Sequence, residues 1–216
     1  MGAHQQDDFS HAWYNKLYSI ATCQDLSKRY YQLEALHAAT FESYISNLKA
    51  ITEKDAESIG SDGRLVKIVV AHILAWEEWQ LQVFSDGLNR ESHLKEQMQF
   101  RGYVDPETGQ TYDFGSVDNF NAFQTAKYKT WAWKDIQKKA IATALKLKEF
   151  FPTNPAADWI SFLDSSPSRT WRLSPQYTII VPQGWYLWMV SLKHEAVEHR
   201  QDFICKSYHD GRSRRK

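Results

Sequence analysis

The fold is indicated most clearly by residues 64–84, RLVKIVVAHILAWEEWQLQVF. Apolar residues recur there every three or four positions, which is the spacing of a helix that buries one face. The apolar stripe comprises Leu65, Ile68, Val69, Trp76, Trp79 and Val83, and His72 falls on it. The pattern therefore predicts a long helix with one histidine that points into the core.

Three further long segments show the same helical spacing. Residues 24–51 form one of them, and the carboxylate of Asp25 near its start can accept an N–H of the first turn. Residues 118–151 end before Pro152, which cannot continue a helix, and residues 185–208 form the last segment. Four amphipathic helices without alternating strands predict an all-α fold, an up-and-down four-helix bundle.

Two long connecting loops interrupt the helical pattern. In residues 85–116, the turn sequence DPETG lies between Tyr103 and Tyr112 and favours a small β-hairpin. Residues 153–184 are rich in proline and serine, so we expect a long loop there, with TWRL and YTIIV as short strands.

The helical pattern also divides the chain into three parts. Residues 1–23 form an N-terminal extension, residues 24–208 form the bundle, and residues 209–216 form a basic tail. We expect the tail to be disordered, because chain ends that are not tied to a core usually are.

Composition narrows the expected class of binding partner and the expected cellular compartment. The 26 lysines and arginines equal the 26 aspartates and glutamates, so no net charge favours nucleic acid or a membrane surface. The N-terminus lacks the basic start and apolar run of a secretion signal, so we expect a cytoplasmic protein. Nine tryptophans, eleven tyrosines and eleven phenylalanines favour a ring-walled cavity for a small molecule, and a homodimer is left open.

The last predicted helix contains the strongest candidate for chemistry. Glu195 and His199 lie four residues apart on one helical face, so both can reach the same cation. His72 can approach from the facing helix as a third ligand. Three nitrogen and oxygen ligands with an open position are typical of a catalytic divalent metal site.

Two alternatives and a set of pocket residues accompany this site. His194 and Glu198 have the same spacing on a rival face, which ranks second because Gln201 follows it. The polar residues can also form an ion-pair network without metal. The aromatic residues predicted to line the cavity are Trp76, Trp188 and Tyr103.

The sequence resembles the DinB-like superfamily, and in particular its ClbS/DfsB branch. Three segments carry this resemblance: VKIVVAHILAWEEW, NFNAFQTAKY and HEAVEHRQDF. Many DinB-like proteins hold a metal with one histidine of the second helix and an HxxxH pair of the last. This chain has Glu195 where the first histidine of that pair would stand, as in relatives similar to mycothiol-dependent maleylpyruvate isomerase.

The resemblance implies a divalent metal, zinc or nickel, and a low-molecular-weight thiol as a further cofactor. It implies a small electrophilic substrate, attacked by metal-activated water or thiol in a hydrolase or thiol transferase reaction. The alternative is a metal-free binding or self-resistance protein of the ClbS type, in which an aromatic-walled cavity holds a reactive molecule.

Overall fold

The chain is mostly helical, with two small antiparallel sheets, so the predicted mainly-α class is confirmed. The computed structural model describes residues 2–88, 100–153 and 155–203. The predicted basic tail, 209–216, lies outside the described residues. None of the helices in the described ranges combines the length and apolar character that crossing a bilayer requires.

The helices follow one another along the whole described chain. They are α1 Gly2–Ala21, α2 Leu26–Ala50, α3 Glu53–Ala56, α4 Val66–Leu88, α5 Val117–Tyr128, α6 Trp133–Phe150, α7 Ala156–Asp164, α8 Gln183–Lys193 and α9 Arg200–Phe203. A 3-10 turn, Phe151–Thr153, follows α6, and a π-helical turn, His194–Glu198, separates α8 from α9. The strands are β1 Tyr103–Val104, β2 Thr111–Tyr112, β3 Ser168–Arg172 and β4 Thr178–Pro182.

The core forms where α2 and α4 both pack on α6. The side chain of Asp25 caps α2 as predicted, since it accepts the backbone N–H of Lys28 at 3.0 Å. The N-terminal extension forms α1, which buries Trp13 and Leu17 against the rest of the core. Part of the predicted N-terminal extension is therefore packed against the rest of the structure.

The predicted helix over residues 118–151 is divided into α5 and α6 by a turn at 129–132. The backbone N–H of Trp131 bonds the carbonyl of Tyr128 at 3.1 Å, which closes this turn. The break allows the rings of Tyr128 and Trp133 both to be buried. Helix α6 then ends before Pro152, as the sequence predicts.

The predicted loop over residues 153–184 contains more regular structure than expected. The two short strands are confirmed as β3 and β4, which pair from Ser168–Pro182 to Arg172–Thr178. Helix α7 precedes them, anchored by Trp159, which is fully buried and donates its Nε1–H to the carbonyl of Phe151 at 3.1 Å. The hairpin predicted around DPETG is also present, as Tyr103 pairs with Tyr112.

The predicted helix over residues 185–208 begins within two residues of its expected start but does not continue as a regular α-helix. At its centre, the N–H of His199 bonds the carbonyl of His194 at 3.3 Å. That bond spans five residues and defines the π-helical turn. The turn inserts one residue into the helical repeat, and this changes which side chains share a face.

Candidate metal centre

Three histidines from two parts of the chain converge in the structure. His72 comes from the first half of α4, while His194 and His199 bound the π-helical turn. One ring nitrogen of each lies within 4.8 Å of the others. The ring centroid of His72 lies 5.0 Å from that of His194 and 5.7 Å from that of His199. The centroids of His194 and His199 are 4.7 Å apart. Three imidazoles at this spacing are a donor set for zinc, nickel or copper.

The π-helical turn explains why His194 and His199 face the same way. In a regular α-helix, residues five apart point about 140° away from each other, and residues four apart point in nearly the same direction. A π-helical turn instead aligns residues five apart. It therefore joins His194 to His199 and turns Glu195 toward another face.

Two of the three predicted ligands, His72 and His199, are brought together by the structure. The cluster of nitrogen atoms does not include the carboxylate of the third, Glu195, whose side chain is buried in the core. Its place is taken by His194, from the rival face identified in the sequence. Glu198, the other residue of that face, pairs with Lys193 at 2.8 Å.

The environment of the three histidines keeps their rings neutral. Burial, with smaller contributions from Arg64 and His199, lowers the pKa of His72 to about 4. Burial also lowers the pKa of His194 well below 6.5, and it lowers that of His199. A neutral imidazole is the form that binds metal, so the cluster is ready to bind metal at neutral pH.

One of the three predicted pocket aromatics lies beside the histidines. The ring centroid of Trp76 is 6.2 Å from that of His72 and 5.9 Å from that of His194. The indole Nε1–H donates to Oδ1 of Asn121 at 3.1 Å, which fixes the ring. Phe100 packs edge-on against the same ring. Trp76 is therefore positioned to wall one side of the cluster.

The other two predicted aromatics are fully buried and make different contacts. Trp188 stacks on Phe151 with a centroid distance of 3.7 Å and donates to Nδ1 of His37 at 3.1 Å. The hydroxyl of Tyr103 accepts a hydrogen bond from Gln124 at 3.0 Å. These contacts lie within the packed interior, so the structure gives both residues a packing role.

The core holds two buried acids, Glu77 and Glu195, of which only Glu195 was identified from the sequence. Glu77 is 0% exposed, and neither of its carboxyl oxygens has a hydrogen-bond partner among the described residues. Oε2 of Glu195 and the hydroxyl of Tyr44 likewise lack partners there. Burial raises the pKa of Glu195 to about 8. Burial also raises the pKa of Glu77, and the negative charges of Glu195 and Glu78 add to that effect.

A separate opening is lined by none of these residues. A cavity of about 780 Å³ is lined by the turn between α5 and α6 and by the first turns of α6, including Trp131 and Lys139. The histidines of the cluster are not among its lining residues. It does not bear on the metal-binding chemistry.

The candidate site therefore comprises three neutral imidazoles and one tryptophan wall, and the buried acid Glu195 directly follows His194 in the chain. The geometry of the described residues supports binding of a divalent ion. No protein-family model, curated protein or solved structure matches the chain, so the inference of function rests on this site and on the resemblance of the sequence motifs.

Proposed function

We propose that the chain is a DinB-like protein of the ClbS/DfsB type that uses a divalent metal, zinc or nickel, to act on a small electrophilic molecule. The proposed ligands are His72, His194 and His199. The observation that carries the proposal is the convergence of their ring nitrogens within 4.8 Å. Three protein ligands leave coordination positions for water, a thiol or substrate, as catalytic zinc sites do.

The donor set fits such an ion, because the three ligands are imidazoles and their lowered pKa values favour the neutral form. A bound divalent ion would supply Lewis acidity and would lower the pKa of a coordinated water or thiol. This supports hydrolysis or thiol transfer as the reaction.

The residues around the cluster support binding of a partly apolar molecule. Trp76 presents a ring whose orientation is fixed by Asn121. Phe100 and Phe120 pack behind it, so the wall is rigid and excludes water on that side. An aromatic wall beside a polar centre is typical of small-molecule sites.

The second candidate is a metal-free binding or self-resistance protein, favoured by the same aromatic wall at Trp76. The two functions predict different responses to chelation. In the metal-free protein, quenching of tryptophan fluorescence by an electrophilic ligand survives chelation. In the metalloprotein, that quenching is abolished by a chelator and restored by zinc or nickel.

The test of the proposed function is zinc-dependent stability. At 100 times its dissociation constant, zinc is expected to raise the free energy of unfolding by about 2.7 kcal/mol, because only the folded cluster binds it. Urea denaturation of chelator-treated protein with and without zinc measures this difference. His72→Ala should abolish it, whereas His11→Ala, at an exposed histidine of α1, should retain it. Equal behaviour of wild type and His72→Ala would overturn the proposal.

The pH dependence of zinc binding provides a second prediction. Protons compete with metal for three ordinary imidazoles, so affinity would fall roughly 50-fold between pH 7.5 and 6.0. Here the pKa of His72 is about 4 and the other two are lowered, so the proton competes only at lower pH. Zinc titrations at the two pH values should show a loss well below 50-fold. A loss of 50-fold would show that the rings have ordinary pKa values.

A further inference from the structure

Asp202, in α9, contacts both the histidine cluster and the loop that precedes α4. Its Oδ2 lies 3.5 Å from Nδ1 of His199. Its Oδ1 accepts the backbone N–H of Ser61 at 2.6 Å, and its Oδ2 accepts the hydroxyl of Ser61 at 3.1 Å. The side chain is only 1% exposed, so these three interactions together account for its buried charge.

We infer that Asp202 is a positioning residue of the metal centre, an inference that rests on the proposed function. A carboxylate beside Nδ1 stabilises the tautomer that carries its proton there. The lone pair of Nε2 is then directed away from Asp202 and is free to bind an ion. Such carboxylate–histidine pairs fix the ring orientation of metal ligands and increase their basicity.

The backbone of the loop is shaped to receive this carboxylate. The N–H of Gly60 bonds the carbonyl of Arg64 at 2.7 Å, which folds the loop back on itself just before α4. A Cβ at Gly60 would lie 2.7 Å from Oδ1 of Asp202, closer than side chains approach one another. Glycine therefore leaves the space that the carboxylate occupies.

Asp202 thus links the two chain segments that supply the histidines. Its loop partner, Ser61, lies five residues before the first residue of α4, the helix that carries His72. Asp202 itself follows His199 by three residues. A purely structural role would consist of anchoring the loop through Ser61, whereas a positioning role requires the contact with His199. The two roles can be separated by substitution.

The test uses cobalt(II), whose visible absorption reports the geometry of its ligands, added to the chelator-treated full chain. Asp202→Asn keeps the volume and one acceptor oxygen for Ser61 but removes the negative charge beside His199. We expect its cobalt affinity to fall about 10- to 100-fold and its visible absorption to change. Ser61→Ala, the matched control, removes only a hydroxyl bond to the same carboxylate, and its affinity should stay within about threefold of wild type.

The outcomes separate this inference from the proposed function. Failure of the wild type to bind cobalt, zinc or nickel would overturn the proposed function. If the wild type binds cobalt and Asp202→Asn binds it with the same affinity and the same visible spectrum, the positioning role alone is overturned. If Asp202→Asn does not fold, Gly60→Ala, which displaces the carboxylate, serves in its place. Wild-type affinity and spectrum in folded Gly60→Ala would then overturn the positioning role.

Discussion

Replacing His194 with alanine is expected to weaken zinc binding by about 100-fold or more, since loss of a ligand should exceed the 10- to 100-fold cost of losing an outer-shell partner. Glu195→Gln is expected to change the affinity by less than about threefold, because the cluster of ligand nitrogens does not include the Glu195 carboxylate. Competition with a chromophoric chelator measures both affinities. This comparison tests the π-helical turn directly, because only that turn aligns His194 with His199.

Two controls make the comparison specific. His11→Ala removes an exposed histidine and should leave zinc affinity unchanged. His199 is a ligand whether the third ligand is His194 or Glu195, so His199→Ala should lose zinc affinity in both cases. A large loss in Glu195→Gln together with wild-type affinity in His194→Ala would instead establish the ligand set His72, Glu195 and His199.

Much of the helical structure could be predicted from sequence, because burial imposes a helical repeat on apolar residues. The stripe of residues 64–84 correctly placed His72 on an inward face near the second ligand-bearing segment. The cap at Asp25 and the stop before Pro152 also follow from local chemistry. These features depend on near neighbours in the chain, so one sequence carries enough information to predict them.

The π-helical turn could not be predicted in this way. A spacing of four residues pairs Glu195 with His199 in any regular helix, and the sequence contains no residue that by itself specifies a π-helical turn. The choice between the faces of His194 and Glu195 depends on how α8, the turn and α9 fit against α2 and α4. The break between α5 and α6 has the same origin, because it depends on burying Tyr128 and Trp133 together.

The buried acid Glu77 was missed for a related reason. Glu77 follows Trp76 within the helix of residues 64–84, where a charged residue is ordinarily assigned to the solvent face. Helix α4 packs against α5 and α6, and the position of Glu77 is fully buried. Its two carboxyl oxygens have no hydrogen-bond partner in the described part of the chain, which makes the ionised form costly.

Glu77→Gln is therefore expected to stabilise the fold at pH 8 by more than about 1.4 kcal/mol, because each unit by which burial raises a carboxyl pKa costs about that much once the unfolded chain ionises. Burial raises the pKa of Glu77 well above its ordinary 4.5. Because its pKa is raised in the folded state, the Glu77 carboxyl group contributes fully to the stability of the fold below pH 4.5, and this contribution is lost as the pH rises. The amide cannot ionise, so the advantage of the variant should be near zero at pH 4 and should grow toward pH 8.

Urea denaturation of metal-free protein at pH 4, 6 and 8 measures this trend. Glu57→Gln is the matched control: it is exposed and pairs with Lys67 on the surface, so its substitution should change stability by less than about 1 kcal/mol at every pH. A destabilised Glu77→Gln at pH 8 would show that the carboxylate is charged and compensated in the fold. A stabilised variant would show that the core holds Glu77 in its neutral form beside Glu195, whose own pKa is about 8.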